Sequence, residues 1–131
     1  MTLLEGLLWL TLNVYHEARS ESQAGQVAVA QVTLNRAWAR HVPVKEAITQ
    51  SGQFSWLSKP PKGPLFPDDP KAFLACFHSV FLALAGNDIT GGATHYHAKY
   101  VTPHWIGAYQ YITSYGAHLF YKETGSRPKG G

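Results

Sequence analysis

A chain of 131 residues with 45% hydrophobic and 13% aromatic side chains suits one domain with a buried core, which excludes a disordered segment and a two-domain machine. Charged residues make up only 15% and the net charge is +3, with no run of Lys or Arg, so a dedicated nucleic-acid tract is excluded and a mild attraction to an anionic partner remains. A single cysteine, Cys76, excludes an internal disulfide.

The first helix is expected from about Leu3 to Arg19, because Leu4, Leu7, Leu8, Thr11, Leu12 and Tyr15 recur at helical spacing. Its apolar stretch is too short to span a bilayer and Glu5 interrupts it. No basic region precedes it and no small-residue cleavage site follows, so it reads as a buried helix and not as a signal peptide or membrane anchor. Ser20 or Ser22 offers an N-cap for a second helix, about Gln23 to Arg40. Ala24 to Ala30 is small and apolar on nearly every side, the pattern of a central helix packed all round. A short third helix is expected over Val44 to Gln50, after Pro43.

Ser51 to Asp69 carries four prolines and two glycines, with Phe54, Trp56 and Phe66 among them. That composition predicts a long loop packed beside a cleft. Asp69-Pro70 is a helix-start signal, and the fourth helix should run to about Ala85 and stop at Gly86-Asn87. Beyond it, Gly91 to His97 and Tyr111 to Tyr115 are rich in strand formers and predict a two-stranded β element, with Pro103-His104-Trp105 in the connection. The tail, 124–131, is Gly/Pro/Lys-rich and predicted to fray.

Glu17 is the most informative acid. It stands near the end of an apolar helix between His16 and Ala18, a setting that desolvates a carboxyl and raises its pKa. A carboxyl protonated near neutrality is what a general acid in glycoside cleavage requires. The alternative is a helix-end Glu paired with Arg19 or capping the next helix. Glu21 would share a face with Glu17 on a continuous helix. Ser20 and Ser22 argue that the helix ends between them, leaving Glu21 as a first-turn acid of the next helix.

His95 and His97 alternate by two and would face one side of a strand. With His118 from a neighbouring strand they could form a three-histidine metal site, although no metal motif accompanies them. Otherwise His95 bonds the catalytic region or a sugar and His118 sits in the core. Cys76, between Ala75 and Phe77, reads as a buried apolar residue. Trp56, Tyr96, Tyr100, Trp105 and Tyr109 could stack on sugar rings; nucleotides would use the same residues, but the basic track is missing.

Four blocks in order resemble the spore-cortex-lytic (SleB-like) cell wall hydrolase family. They are Tyr15-x-Glu17-Ala18-Arg19-x-Glu21 through Gly25-Gln26 and Asn35-Arg36, then Gln53-Phe54-Ser55-Trp56, then Gly92-Ala93-Thr94-His95-Tyr96, and finally Trp105 with Gly116-x-His118-x-Phe120-Tyr121. The likeness spans about residues 8 to 121. Ser20 stands where the family usually has Gly, and His16 and His97 also depart from its commonest residues.

The resemblance implies a mostly helical α+β domain with a lysozyme-like or resuscitation-factor-like fold. It implies cleavage of peptidoglycan glycan strands between N-acetylmuramic acid and N-acetylglucosamine, usually as a lytic transglycosylase. It puts the catalytic acid on Glu17, with Glu21, Phe54, Ser55, Thr94, His95, Tyr96, Trp105 and His118 binding substrate or supporting the acid. No cofactor, metal, nucleic-acid partner or membrane insertion is expected, and the chain should be a monomer. A bare module without a signal peptide resembles a phage endolysin, made in the cytoplasm and acting on the wall after release or virion delivery. The competing expectations are hydrolysis of the same bond, a metal-dependent wall amidase or peptidase built on His95, His97 and His118, and a wall-binding module without catalysis.

Overall fold

Local capping chemistry fixes the helix starts. Thr2 accepts from the Glu5 amide and its own amide donates to the Glu5 carboxylate at 2.8 Å, a reciprocal cap that opens α1, Leu3–Ala18. Of the two candidate serines it is Ser22 that caps α2, Gln23–Arg40, by accepting from the Gly25 amide. The helix ends where His41 turns left-handed, at φ 56°. Pro43 leads into α3, Val44–Thr49. Asp69 caps α4, Pro70–Ala85, by accepting from the Ala72 amide, with Pro70 in the first turn.

The protein is described by a computed structural model over residues 2–50 and 67–123. Residues 51–66 of the predicted loop Ser51 to Asp69, with Phe54, Ser55 and Trp56, and the predicted frayed tail 124–131 lie outside the described residues. Among the described residues, no helix is long and apolar enough to cross a membrane.

The core forms where α2 lies between its neighbours. Ala28, Val29, Ala30 and Val32 are fully buried, and they pack with Leu10 and Val14 of α1, Val80 of α4 and Phe120 from the sheet. The run of small residues lets α1 and α4 approach α2 closely, as its all-round apolar pattern predicts.

The β element departs from the expected two strands. It has three: β1, His95–Ala98; β2, Tyr109–Tyr115; and β3, His118–Glu123. Their order is β1-β3-β2, all antiparallel, so the two predicted strands do not touch. The segment from His118 lies between them, because Gly116, at φ 57°, makes a tight turn that folds β3 back on β2. Gly91 and Gly92 also have positive φ, and the Asp88 carboxylate accepts from the Thr90 and Gly92 amides. The predicted first strand is therefore a turn as far as Thr94.

Two neighbouring α2 residues hold β1 in place. Asn35 donates to Asp88 and to the Ala93 carbonyl, each at 2.9 Å. Arg36, only 2% exposed, donates through Nε and a second guanidinium nitrogen to the Thr94 carbonyl. Such bonds offset much of the cost of burying a cation.

An irregularity between Tyr111 and Thr113 shifts the pairing of β2 by one residue. The parity of its side chains changes there. Tyr115 packs inward on Phe120, while Tyr111 packs outward on Tyr121.

Candidate active site

The sheet divides the sequence-selected residues between its two faces. Tyr96 pairs with Phe120 and Ala98 with His118, so these four share the inner face. His95 and His97 point to the outer face, under Trp105 and beside Tyr109 and Tyr121. The three histidines proposed as a metal set are thus split across the sheet. Both ring nitrogens of His97 are engaged, Nδ1 with the Ala98 carbonyl at 2.7 Å and Nε2 with the Tyr121 hydroxyl at 3.0 Å. Among the described residues, no three His, Cys, Asp or Glu side chains converge as a metal site.

A cleft of about 470 Å³ opens beside the edge strand β1. His16 and Glu17, from the last turn of α1, form one wall. Tyr96, His97, Ala98 and His118 come from the sheet, and Tyr100, Val101, Pro103 and Trp105 form the opposite wall. Of the described residues lining it, Glu17 is the only carboxylic acid.

Glu17 is held by the closure of α1 onto α2. The Gln26 side-chain amide donates to the carbonyls of Ala18, Arg19 and Glu21, at 3.2 to 3.4 Å, while its oxygen accepts from Ser79 at 2.7 Å. One buried amide thus satisfies the end of α1 and ties it to α4. Arg19, the partner that would have made Glu17 structural, turns away. It donates to the Tyr15 hydroxyl at 2.6 Å and lies 3.8 Å from Asp68.

With Arg19 drawn off, the Glu17 carboxyl is buried, and among the described residues its Oε2 has no hydrogen-bond partner. Burial pushes its pKa up from 4.5 to about 7. Its place at the negative end of α1 works in the same direction. The Tyr96 hydroxyl, which faces the carboxyl, pulls the other way by favouring the charged form. Burial drives the Tyr96 phenol well above its ordinary pKa, so it stays a neutral donor.

Glu21 does not reach the cleft lining. Its Oε1 accepts from the Ala117 amide at 3.1 Å and Oε2 lies 3.7 Å from His118 Nδ1. It fastens the α1–α2 junction to the β2–β3 turn, and a Cβ at Gly116 would collide with Oε1. Burial lowers the His118 pKa against the opposing pull of Glu21. Thr94 and His95 line a second cavity with Arg36 and Arg40, while Trp105 and His118 join Glu17 at the cleft. Cys76 is buried, with its thiol pushed up to about 11, which leaves it unreactive.

Sequence reasoning did not single out His16, Ala98, Val101 or Pro103 as cleft residues, nor Gln26 as the residue that closes the α1 end. Only the proximity of His16 to Glu17, and of the others to the Tyr96 and Trp105 segments, carried a signal.

Comparison with known proteins agrees with this fold. The Cell Wall Hydrolase family model matches residues 20–121, and Glu17 lies just ahead of that stretch, so its role stands on its surroundings. A spore cortex-lytic enzyme from Halalkalibacterium halodurans is 36% identical over 112 residues, covering 82% of this chain. The match takes in 32% of that enzyme, so this chain spans about a third of its length. The catalytic domain of the germination-specific lytic transglycosylase SleB from Bacillus anthracis superposes with a TM-score of 0.75 at 27% identity, covering 93% of this chain and 97% of that domain. The Bacillus cereus SleB catalytic domain gives 0.74 at 28% identity, covering 93% of each. The mostly helical, lysozyme-like fold with a small antiparallel sheet is that of these catalytic domains.

Proposed function

The chain belongs to the Cell Wall Hydrolase family as a SleB-like enzyme module, and from that premise we propose that it cleaves peptidoglycan glycan strands between N-acetylmuramic acid and N-acetylglucosamine as a lytic transglycosylase. The observation that carries this reading is one buried carboxyl, Glu17, as the sole acid among the described residues lining the cleft. With a pKa near 7 it holds a proton under mild conditions and can give it up during reaction.

Glu17 protonates the glycosidic oxygen as the bond to C1 of the muramic sugar breaks. The leaving sugar departs as an alcohol, and positive charge develops on the ring. The Glu17 carboxylate then takes the proton of that sugar's own 6-hydroxyl while its oxygen bonds to C1. The product is a 1,6-anhydro ring, and the enzyme regains its proton. Glycosidases that use water employ a second carboxylate roughly 5–9.5 Å from the first. Glu21 is committed to Ala117 and the neighbourhood of His118, which favours the route through the internal hydroxyl. Proximity of that hydroxyl replaces the positioned water. Tyr96 steadies the carboxylate, and the exposed ring of Tyr100 with Trp105 offers apolar surface to the sugars.

Mass spectrometry of soluble fragments from digested peptidoglycan tests the proposal. Anhydromuramic ends are expected. Reducing muramic ends would reassign the reaction to hydrolysis, and no fragments at all, with binding retained, would leave a wall-binding module.

A further inference from the structure

A second cavity, of about 340 Å³, lies between the C-terminal half of α2 and the start of β1. Arg36, Arg40, Thr94, His95 and Glu123 line it. We propose that this cavity is a carboxylate site that receives the peptide carried by the muramic sugar. This rests on the glycan-strand reading above and names a further part of the same substrate.

Charge and geometry support it. Arg36 and Arg40 stand four residues apart, so both guanidinium groups lie on one face of α2. Like charges at that spacing oppose each other unless an anion lies between or beside them. Arg36 is fixed in the wall by its bonds to the Thr94 carbonyl. Arg40 is exposed at the rim, donating to Gln50 at 3.1 Å. Glu123, the sole acid among the described residues lining the cavity, accepts from the Tyr109 hydroxyl at 3.2 Å. Among the described residues the lining is thus richer in cations than in acids, which favours a carboxylate ligand. A planar guanidinium at a pocket rim suits a carboxylate, which it can grip through two parallel hydrogen bonds.

Position links the cavity to the cleft. His95 lines the cavity and His97 lines the cleft. They are two residues apart on one strand face, roughly 7 Å. Trp105 bridges them, with ring centroids 5.2 Å from His95 and 5.8 Å from His97. A muramic sugar in the cleft carries its peptide through a lactyl group. An extended peptide advances roughly 3.3–3.6 Å per residue, so a carboxylate two or three residues out is displaced by roughly 7–11 Å. An offset of that size matches the roughly 7 Å between His95 at the cavity and His97 at the cleft.

The test is an NMR titration of the full chain carrying Glu17→Gln, which binds without cleaving. The probes are a synthetic stem tetrapeptide with free carboxylates, the same peptide with its carboxylates amidated, and inorganic phosphate. The free peptide should shift the Arg36 side-chain, Thr94 and His95 signals. Amidation, or adding Arg40→Gln, should weaken it by about tenfold or more. Unmoved signals, equal binding of the amidated peptide, or phosphate binding more tightly than the peptide overturns the proposal. The amidated arm needs no change at Arg36, so it holds even if variants there fail to fold. Peptide binding by a wild-type chain that releases no glycan fragments would remove the cleavage reading alone. Normal release with no response to the peptide would remove this one alone.

Discussion

Replacing Glu17 by Gln should disable the enzyme and stabilise it at once, with a pH dependence fixed by burial. The folded carboxyl keeps its proton up to about pH 7, whereas the unfolded one releases it near 4.5. Between these values the folded chain holds one more proton than the unfolded chain, so stability falls as pH rises. The contribution is complete below 4.5 and lost above about 7. Each pH unit in that interval is worth about 1.4 kcal/mol, so the whole is of order 3 kcal/mol. Glutamine keeps the shape but never ionises. Glu17→Gln should thus match the wild type near pH 4.5 and exceed it above pH 7, by about 10 °C in melting temperature for a domain this size. Fragment release should fall by roughly 10²–10⁴-fold, the usual worth of a general acid. Paired thermal melts from pH 4.5 to 8, beside turbidity assays on peptidoglycan, measure both. A melting difference that does not grow with pH would refute the buried-carboxyl argument, and near-full lytic activity would refute the catalytic one.

Wild-type lysis should itself decline as pH rises through about 7, where Glu17 loses the transferable proton. Tyr96→Phe removes the hydroxyl that favours the charged carboxyl, so the alkaline limb of the pH–rate profile should move to higher pH; an unmoved or lowered limb contradicts the contact. Gln26→Ala strips three carbonyls of their donor and Ser79 of its acceptor, and should cost about 2–4 kcal/mol in urea unfolding, from several lost bonds worth about 1 kcal/mol each and groups left unsatisfied. Gly116→Ala places a Cβ against the Glu21 carboxylate at a positive φ, and should destabilise by at least about 1 kcal/mol, with Glu21→Gln relieving little of the backbone component.

The sequence by itself determined the helices and pointed to Glu17 as the candidate acid. Helix boundaries follow from nearest-neighbour chemistry: Ser22 ahead of a small apolar run, and Asp69-Pro70 ahead of an apolar helix, each act over three or four residues. The apolar helix ahead of Glu17 signalled a desolvated carboxyl, and closure of the sheet onto α1, with Tyr96 facing the carboxyl, supplies the burial. The family blocks placed the cleft residues Glu17, Tyr96, Trp105 and His118 in one domain.

The tertiary structure alone decided how those residues are shared out. The third strand slips between the two predicted ones, and this sends His118 to the inner face while His95 and His97 turn outward. Arg19 could have neutralised Glu17 from two residues away, but Tyr15 and Asp68 draw it off. Glu21 is claimed by Ala117, 96 residues further on. Thr94 and His95, adjacent to Tyr96 in the chain, line a different cavity because Arg36 and Arg40 of α2 pack against the start of β1. Periodicity and capping act within a few residues. Strand register, the neighbour of a buried charge and the walls of a cavity depend on contacts between distant segments, and these exist only once α1, α2 and the sheet have closed on one another.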